Sequence, residues 1–167
     1  MEKVSLNGTY GFKNFINSQI QTELVNWTNN NIDKFRINPS GYGRKNKTIT
    51  SEDSIHSLVL EIKKRVIEVD GLDPYQVDFS HRDYIGVNIE NAYIHIHMDL
   101  NQGDLIHTRW NLILSYPEDG GHSIYGKEIN ILEEKMIWKC IAGKVSHGST
   151  PVIGKKPRIT LSLGFFL

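Results

Sequence analysis

The chain has 167 residues, with Lys+Arg and Asp+Glu both at 19, so its formal net charge is zero. That length suits one domain. The charge balance argues against nucleic-acid or membrane-surface binding by bulk electrostatics. A single cysteine, Cys140, excludes an internal disulfide, and no apolar run reaches the roughly 18 residues of a membrane span. With no apolar signal segment in Met1-Glu2-Lys3-Val4-Ser5, these features predict a cytoplasmic setting, where three Asn-x-Thr matches (Asn7, Asn26, Asn46) are coincidental.

Residues 1–11 carry two glycines and little periodicity, and read as a short strand or arm. From Phe12 the apolar positions Phe12, Phe15, Ile16, Ile20 and Leu24 have helical spacing, predicting a helix over Phe12–Trp27 that Asn29-Asn30-Asn31 would end. Residues 37–50 read as an exposed loop, made locally basic by Arg44, Lys45 and Lys47: a solvated linker or a flap over a site. Thr50-Ser51-Glu52-Asp53 has the pattern of a helix start. Ile55, Leu58, Val59, Ile62, Val66 and Val69 then form one stripe, with Lys63 outside it, up to Gly71.

After Pro74 the period changes to two. Short strands are expected at Tyr75–Phe79, Tyr84–Glu90, Ala92–Met98, Arg109–Tyr116, Glu128–Leu132, Met136–Ile141 and Arg158–Phe166, with turns at Ser80-His81-Arg82-Asp83, Pro117–Gly121 and Gly143-Lys144. Two helices followed by short strands predict a mainly β chain, an antiparallel sandwich or barrel with N-terminal helices: helical support over 12–70 and a β core over 75–167 within one domain, 1–167.

The chemistry concentrates in Tyr93-Ile94-His95-Ile96-His97-Met98-Asp99. On strand alternation Tyr93, His95, His97 and Asp99 share one face. His97 and Asp99 with a third ligand would form the two-His, one-carboxylate face that holds Fe(II) with positions open for ligands. His147, in the tight Val145–Val152 segment, is the candidate third ligand. His95-x-His97 is a rival ligand choice, but Asn101 and Gln102 stand where it would need a glutamate. Arg158 and Thr160 share a face of the last strand, and a guanidinium beside a hydroxyl is matched to a carboxylate. Arg109 and Asn111 share a face of theirs, with Trp110 opposite. Trp138 and Cys140 could line a barrel but read first as packing. His107 and His122, beside turns, are expected at the surface.

In this order, His97-x-Asp99, His147 and Arg158-x-Thr160 resemble the signature of the iron- and 2-oxoglutarate-dependent oxygenases, in the subgroup that includes prolyl hydroxylases. Arg109–Tyr116 followed by Gly120-Gly121 is similar to the strand and double-glycine turn between that family's metal motifs. The resemblance covers Tyr84 to Phe166. It implies a double-stranded β-helix (a jelly roll, cupin-like), with Fe(II) on His97, Asp99 and His147. 2-Oxoglutarate would chelate the iron, its far carboxylate on Arg158 and Thr160, and O2 would take the remaining position. Tyr93, Asn111 and Arg109 would be further contacts to the co-substrate or substrate. The implied activity is hydroxylation of a C–H bond in a peptidyl residue or a small amino-acid-like metabolite. A cupin-like metal protein that does not use 2-oxoglutarate is the alternative. The oligomeric state is not legible.

Overall fold

Residues 1–73 and 82–167 are described by the computed structural model; the expected strand Tyr75–Phe79 and the turn residues Ser80 and His81 lie outside them. The chain opens as a hairpin of strands β1 (Glu2–Leu6) and β2 (Thr9–Lys13) across Asn7-Gly8, with Gly8 left-handed at φ 78°. Phe12 therefore belongs to a strand, not to the start of a helix. Asn14 turns the chain at φ 49°, and helix α1 (Ser18–Asn30) begins where the Asn17 side chain accepts the Ile20 N–H at 2.9 Å. Phe12, Phe15 and Ile16 still reach one core, which is why strand and turn imitate helical spacing. Asn31 caps the end of α1, as its asparagine run predicts.

The stretch 37–50 is not a loop. After the short β3 (Arg36–Ile37) it forms β4 (Gly41–Thr48), paired antiparallel with β5 (Tyr84–Ile94). Its alternation was hidden because Arg44, Asn46 and Thr48 face a polar cavity instead of an apolar core. The two strands expected at Tyr84–Glu90 and Ala92–Met98 are one strand with an excursion: Asn88 lies opposite Arg44 and Tyr93 opposite Tyr42, with left-handed Asn91 between.

Helix α2 (His56–Asp70) starts later than its sequence signal, because the Asp53 carboxylate accepts the Thr50 N–H and hydroxyl to form a separate turn. It ends at left-handed Gly71, as expected. Its stripe packs into the core, with Leu58 and Val69 partly buried, and Lys63 is buried with it: the ammonium lies 2.9 Å from Asp83 Oδ1, which also accepts the Gly164 N–H at 3.0 Å. The pair ties α2 to the sheet. Asp83→Ala removes the carboxylate of this buried pair and should cost about 3–5 kcal/mol, read as a lowered urea midpoint.

The remaining strands are β6 (His107–Ser115), β7 (Asp119–Gly120), β8 (Ser123–Tyr125), β9 (Glu128–Asn130), β10 (Ile137–Cys140), β11 (His147–Ser149), β12 (Val152–Ile153) and β13 (Arg158–Phe166). The large sheet runs β1-β2-β10-β6-β13-β5-β4-β3, the small one β11-β8-β9, and β12 pairs with β7. One face of the large sheet (Ile85, Val87, Leu112, Ile159, Leu161, Leu163) packs on both helices. The other face meets the small sheet through Ile113, Trp138, Cys140 and Tyr125, so the architecture is a double-stranded β-helix with helices on its back. Among the described residues no helix is long and apolar enough to cross a membrane.

Candidate metal centre and cavity

β5 leaves the large sheet after Ile94 and reaches the small one. His97 and His147 there form a two-way bridge, each N–H donating to the other's carbonyl at 3.0 and 2.8 Å. The Asp99 N–H donates to the Ala142 carbonyl at 2.9 Å. Gly148 permits this approach, since a Cβ there would stand 2.9 Å from the Ile94 carbonyl oxygen. The ties converge three side chains: Asp99 Oδ1 lies 3.3 Å from His97 Nε2 and 3.9 Å from His147 Nε2, and the three potential ligand atoms are within 4.8 Å of one another. Nδ1 of His97 is 2.7 Å from the His95 carbonyl, and Nδ1 of His147 is 3.2 Å from that of Val145. A carbonyl only accepts, so in the neutral rings Nδ1 carries the proton and the Nε2 lone pairs remain for a metal.

Burial alone would raise the Asp99 carboxyl. The His97 hydrogen bond and the charges of His147, His107 and Arg109 outweigh it and hold the group down at about 2. Asp99 is therefore ionised across the neutral range. In its charged form His97 also donates from Nε2 to Asp99, which pushes His97 up, whereas burial pushes His147 down. Two imidazoles and a hard carboxylate form a donor set suited to a divalent ion of the Fe(II) type.

Two expectations about histidines need correction. His107 is not at the surface: it is buried and shares the inner face of β6 with Arg109 and Asn111, with its Nδ1 3.1 Å from Asp99 Oδ2. His122 is half-buried, its Nδ1 2.8 Å from the Tyr116 hydroxyl. His107 holds the second oxygen of Asp99, so His107→Ala should weaken metal binding about 10–100-fold in a calorimetric titration.

Beside the cluster lies a cavity of about 400 Å³, lined by Arg158, Thr160, Arg109, Asn111, Trp138, Cys140 and the metal-site residues. Trp138 and Cys140 thus line the barrel as well as pack. Arg158 is 4% exposed; its Nη2 donates to Ser123 Oγ at 2.9 Å, while its Nε and the Thr160 hydroxyl have no partner among the described residues. Burial pushes Arg158 down to about 10. Arg109 Nη1 donates to the Arg82 carbonyl at 3.0 Å, and its guanidinium lies 4.9 Å over the Tyr84 ring.

Tyr93 does not line the cavity. Its ring stacks on Tyr42 at 6.0 Å and meets His95 edge-on. The strict alternation that aligned Tyr93 with His97 breaks at residues 95–96, where β5 quits the large sheet, so Ile94 faces inward before the break and His97 after it. The His95 ring is outside the ligand cluster, which disfavours the His95-x-His97 ligand choice.

Sequence reasoning did not place Arg44, Asn88 or Tyr84 in a site, and all three stand on the cavity wall. The available signal was the alternation of Tyr84, Gly86 and Asn88 with Ile85 and Val87. Burial would raise the Tyr84 hydroxyl, but Arg44 and Arg109 outweigh it and bring it to about 8.

The chain shares its jelly-roll fold with solved prolyl hydroxylases and with a protein solved with nickel and 2-oxoglutarate bound. It is similar to the viral collagen prolyl hydroxylase of Paramecium bursaria Chlorella virus-1 solved as a 2OG complex (TM-score 0.74, 14% identity, 96% of each chain covered). It is also similar to a Pseudomonas putida prolyl-4-hydroxylase (0.73, 14%, covering 95% of this chain and 91% of that one). HygX from Streptomyces hygroscopicus, solved with nickel and 2-oxoglutarate, gives 0.70 at 10% identity, covering 95% and 82%. No protein-family profile and no curated protein matches the sequence.

Proposed function

We propose that this chain is an Fe(II)- and 2-oxoglutarate-dependent dioxygenase. It hydroxylates a C–H bond of a peptidyl residue or a small amino-acid-like metabolite: 2-oxoglutarate, O2 and R–H give succinate, CO2 and R–OH. The observation that carries this reading is the His97-Asp99-His147 cluster sharing a cavity with a buried Arg158, whose Nε, like the Thr160 hydroxyl, has no partner among the described residues. Those donors fit the far carboxylate of a dianionic acid.

His97, Asp99 and His147 would hold Fe(II), which with 2-oxoglutarate and O2 supplies the oxidising chemistry. The carbonyls of His95 and Val145 keep both imidazoles presenting Nε2. Arg158 and Thr160 bind and orient the co-substrate. Arg109 and Asn111 orient what lies between that end and the metal. Trp138 and Cys140 exclude water from the wall. Tyr93 has no role in this reading. Residues 1–167 act as one domain, with the helices bracing the sheet that carries the site. Similar structures include a prolyl hydroxylase in complex with a hypoxia inducible factor peptide and HygX with hygromycin B bound, so peptides and small molecules both fall within the fold's range.

The test is an anaerobic titration of the purified protein with Fe(II) and then 2-oxoglutarate, followed by the metal-to-ligand absorption band and, after oxygen is admitted, by succinate release. A saturating band and succinate are expected. Metal binding with no 2-oxoglutarate affinity would favour the cupin-like alternative. No metal binding would end the catalytic reading.

A further inference from the structure

Three neighbouring strands bring two guanidiniums to one wall. Arg44 of β4 and Arg158 of β13 both lie opposite Asn88 of β5, so Arg44, Asn88 and Arg158 form a row across the cavity face. With strands about 4.8 Å apart, the row spans about 10 Å between its outer Cα atoms. All three side chains are at least nine-tenths buried, and each has a polar atom without a partner among the described residues: Arg44 Nε, Asn88 Nδ2 and Arg158 Nε.

Arg44 is aimed inward by the local backbone. Gly43 is left-handed at φ 63°, and the register shifts between Tyr42 and Arg44. The guanidinium lies along Gly86, where a Cβ would meet Arg44 Nη2 in ordinary van der Waals contact at 3.6 Å. The partners of Arg44 are neutral. Nη1 donates to Ser40 Oγ at 2.6 Å and Nη2 to the Tyr84 hydroxyl at 3.0 Å. Tyr84, at about 8, keeps its proton for the most part at pH 7.

Among the cavity's described lining residues Asp99 is the one carboxylate, against Arg44, Arg82, Arg109 and Arg158. Asp99 is already engaged by His97 and His107. A divalent metal and a dianionic co-substrate add no net charge between them. The co-substrate's far carboxylate matches Arg158 and leaves Arg44 unmatched. Burying an unpaired charge is costly, so a second anion belongs at Arg44.

We propose that Arg44 and Asn88 form a second anion subsite, which binds the carboxylate of a free small-molecule substrate such as an amino acid. The proposal rests on the oxygenase reading and narrows its substrate: an internal peptide residue other than Asp or Glu has no carboxylate to offer the buried guanidinium, whereas every free amino acid has one. The arrangement divides the wall, with co-substrate on the Arg158 side of Asn88 and substrate on the Arg44 side.

The test uses the full chain loaded with Fe(II) and 2-oxoglutarate without oxygen, titrated calorimetrically with free L-amino acids and with the same amino acids as carboxamides. At least one free acid should bind, and its carboxamide about a hundredfold more weakly. Arg44→Gln should lose the acid to the same extent while the Kd for 2-oxoglutarate changes by less than about threefold, and Arg158→Gln should do the reverse. Equal binding of acid and carboxamide, no acid binding despite normal 2-oxoglutarate binding, or an Arg44→Gln effect on 2-oxoglutarate matching that of Arg158→Gln would each overturn the proposal. A wild type that binds metal but not 2-oxoglutarate would instead fail the oxygenase reading, and the proposal with it. Asn88→Asp keeps the test decisive if Arg44→Gln does not fold, because it places a carboxylate between the two guanidiniums. In the metal-free protein it should raise Tm by about 3 °C. A fall in Tm would show that the row lacks no anion and would overturn the proposal.

Discussion

Asp99→Ala should abolish 2-oxoglutarate turnover and weaken Fe(II) binding by more than about a hundredfold, since removing even an outer partner of a ligand costs about 10–100-fold. Asp99 is the sole carboxylate of the His97-Asp99-His147 cluster, and its Oδ1 lies within 4 Å of both Nε2 atoms. Calorimetric titration with Fe(II) reads the loss. Undiminished metal binding in the variant would sink the ligand assignment.

The same carboxylate carries a pH signature in the metal-free protein. Its value of about 2 in the fold lies below the ordinary carboxylate value. A depressed group adds stability above its unfolded pKa and loses it as the pH falls through the folded one. Asp99 should thus contribute about 2 kcal/mol at neutral pH, lost between about pH 4 and pH 2. Melting curves over that range should show the loss in the wild type and not in Asp99→Ala.

Arg158→Gln should weaken 2-oxoglutarate binding at least about thirtyfold, the effect of removing one member of a buried, hydrogen-bonded charge pair. The anaerobic absorption titration measures it. Arg158→Lys keeps the charge but loses the planar fork, and should fall between the two. The loss is specific to ligand binding. Burial already depresses Arg158 to about 10, so without an anion the charge is a cost to the fold. The metal-free Arg158→Gln protein should therefore melt no lower than the wild type. A variant that binds 2-oxoglutarate normally would remove Arg158 from the co-substrate site.

Parts of this site were legible because they depend on local period. Along β13, Ile159, Leu161 and Leu163 pack on the helices while Arg158 and Thr160 face the cavity. A strand buried on two unlike faces displays both in its sequence. Arg109 and Asn111 opposite Trp110 on β6 follow the same rule, and the order of His97, Asp99, His147 and Arg158 is a property of the chain itself. The stripe and glycine stop of α2 were equally plain.

Other features were decided only in three dimensions. β4 looked like a loop because its inward residues meet a polar cavity, and an apolar-polar period does not register a polar interior. Lys63 looked exposed because its counter-ion, Asp83, comes from beyond the end of α2. Tyr93 left the site, and His107 entered it, through where β5 quits one sheet and where β6 begins. The row of Arg44, Asn88 and Arg158 exists because two strands distant in sequence pair with opposite edges of β5 in one register. The period of a strand is set by bonds between neighbouring residues, so sequence alone determined which side chains share a face. Pairing across the sheet is set by burial summed over the whole chain, so only the tertiary structure decided what each face would meet.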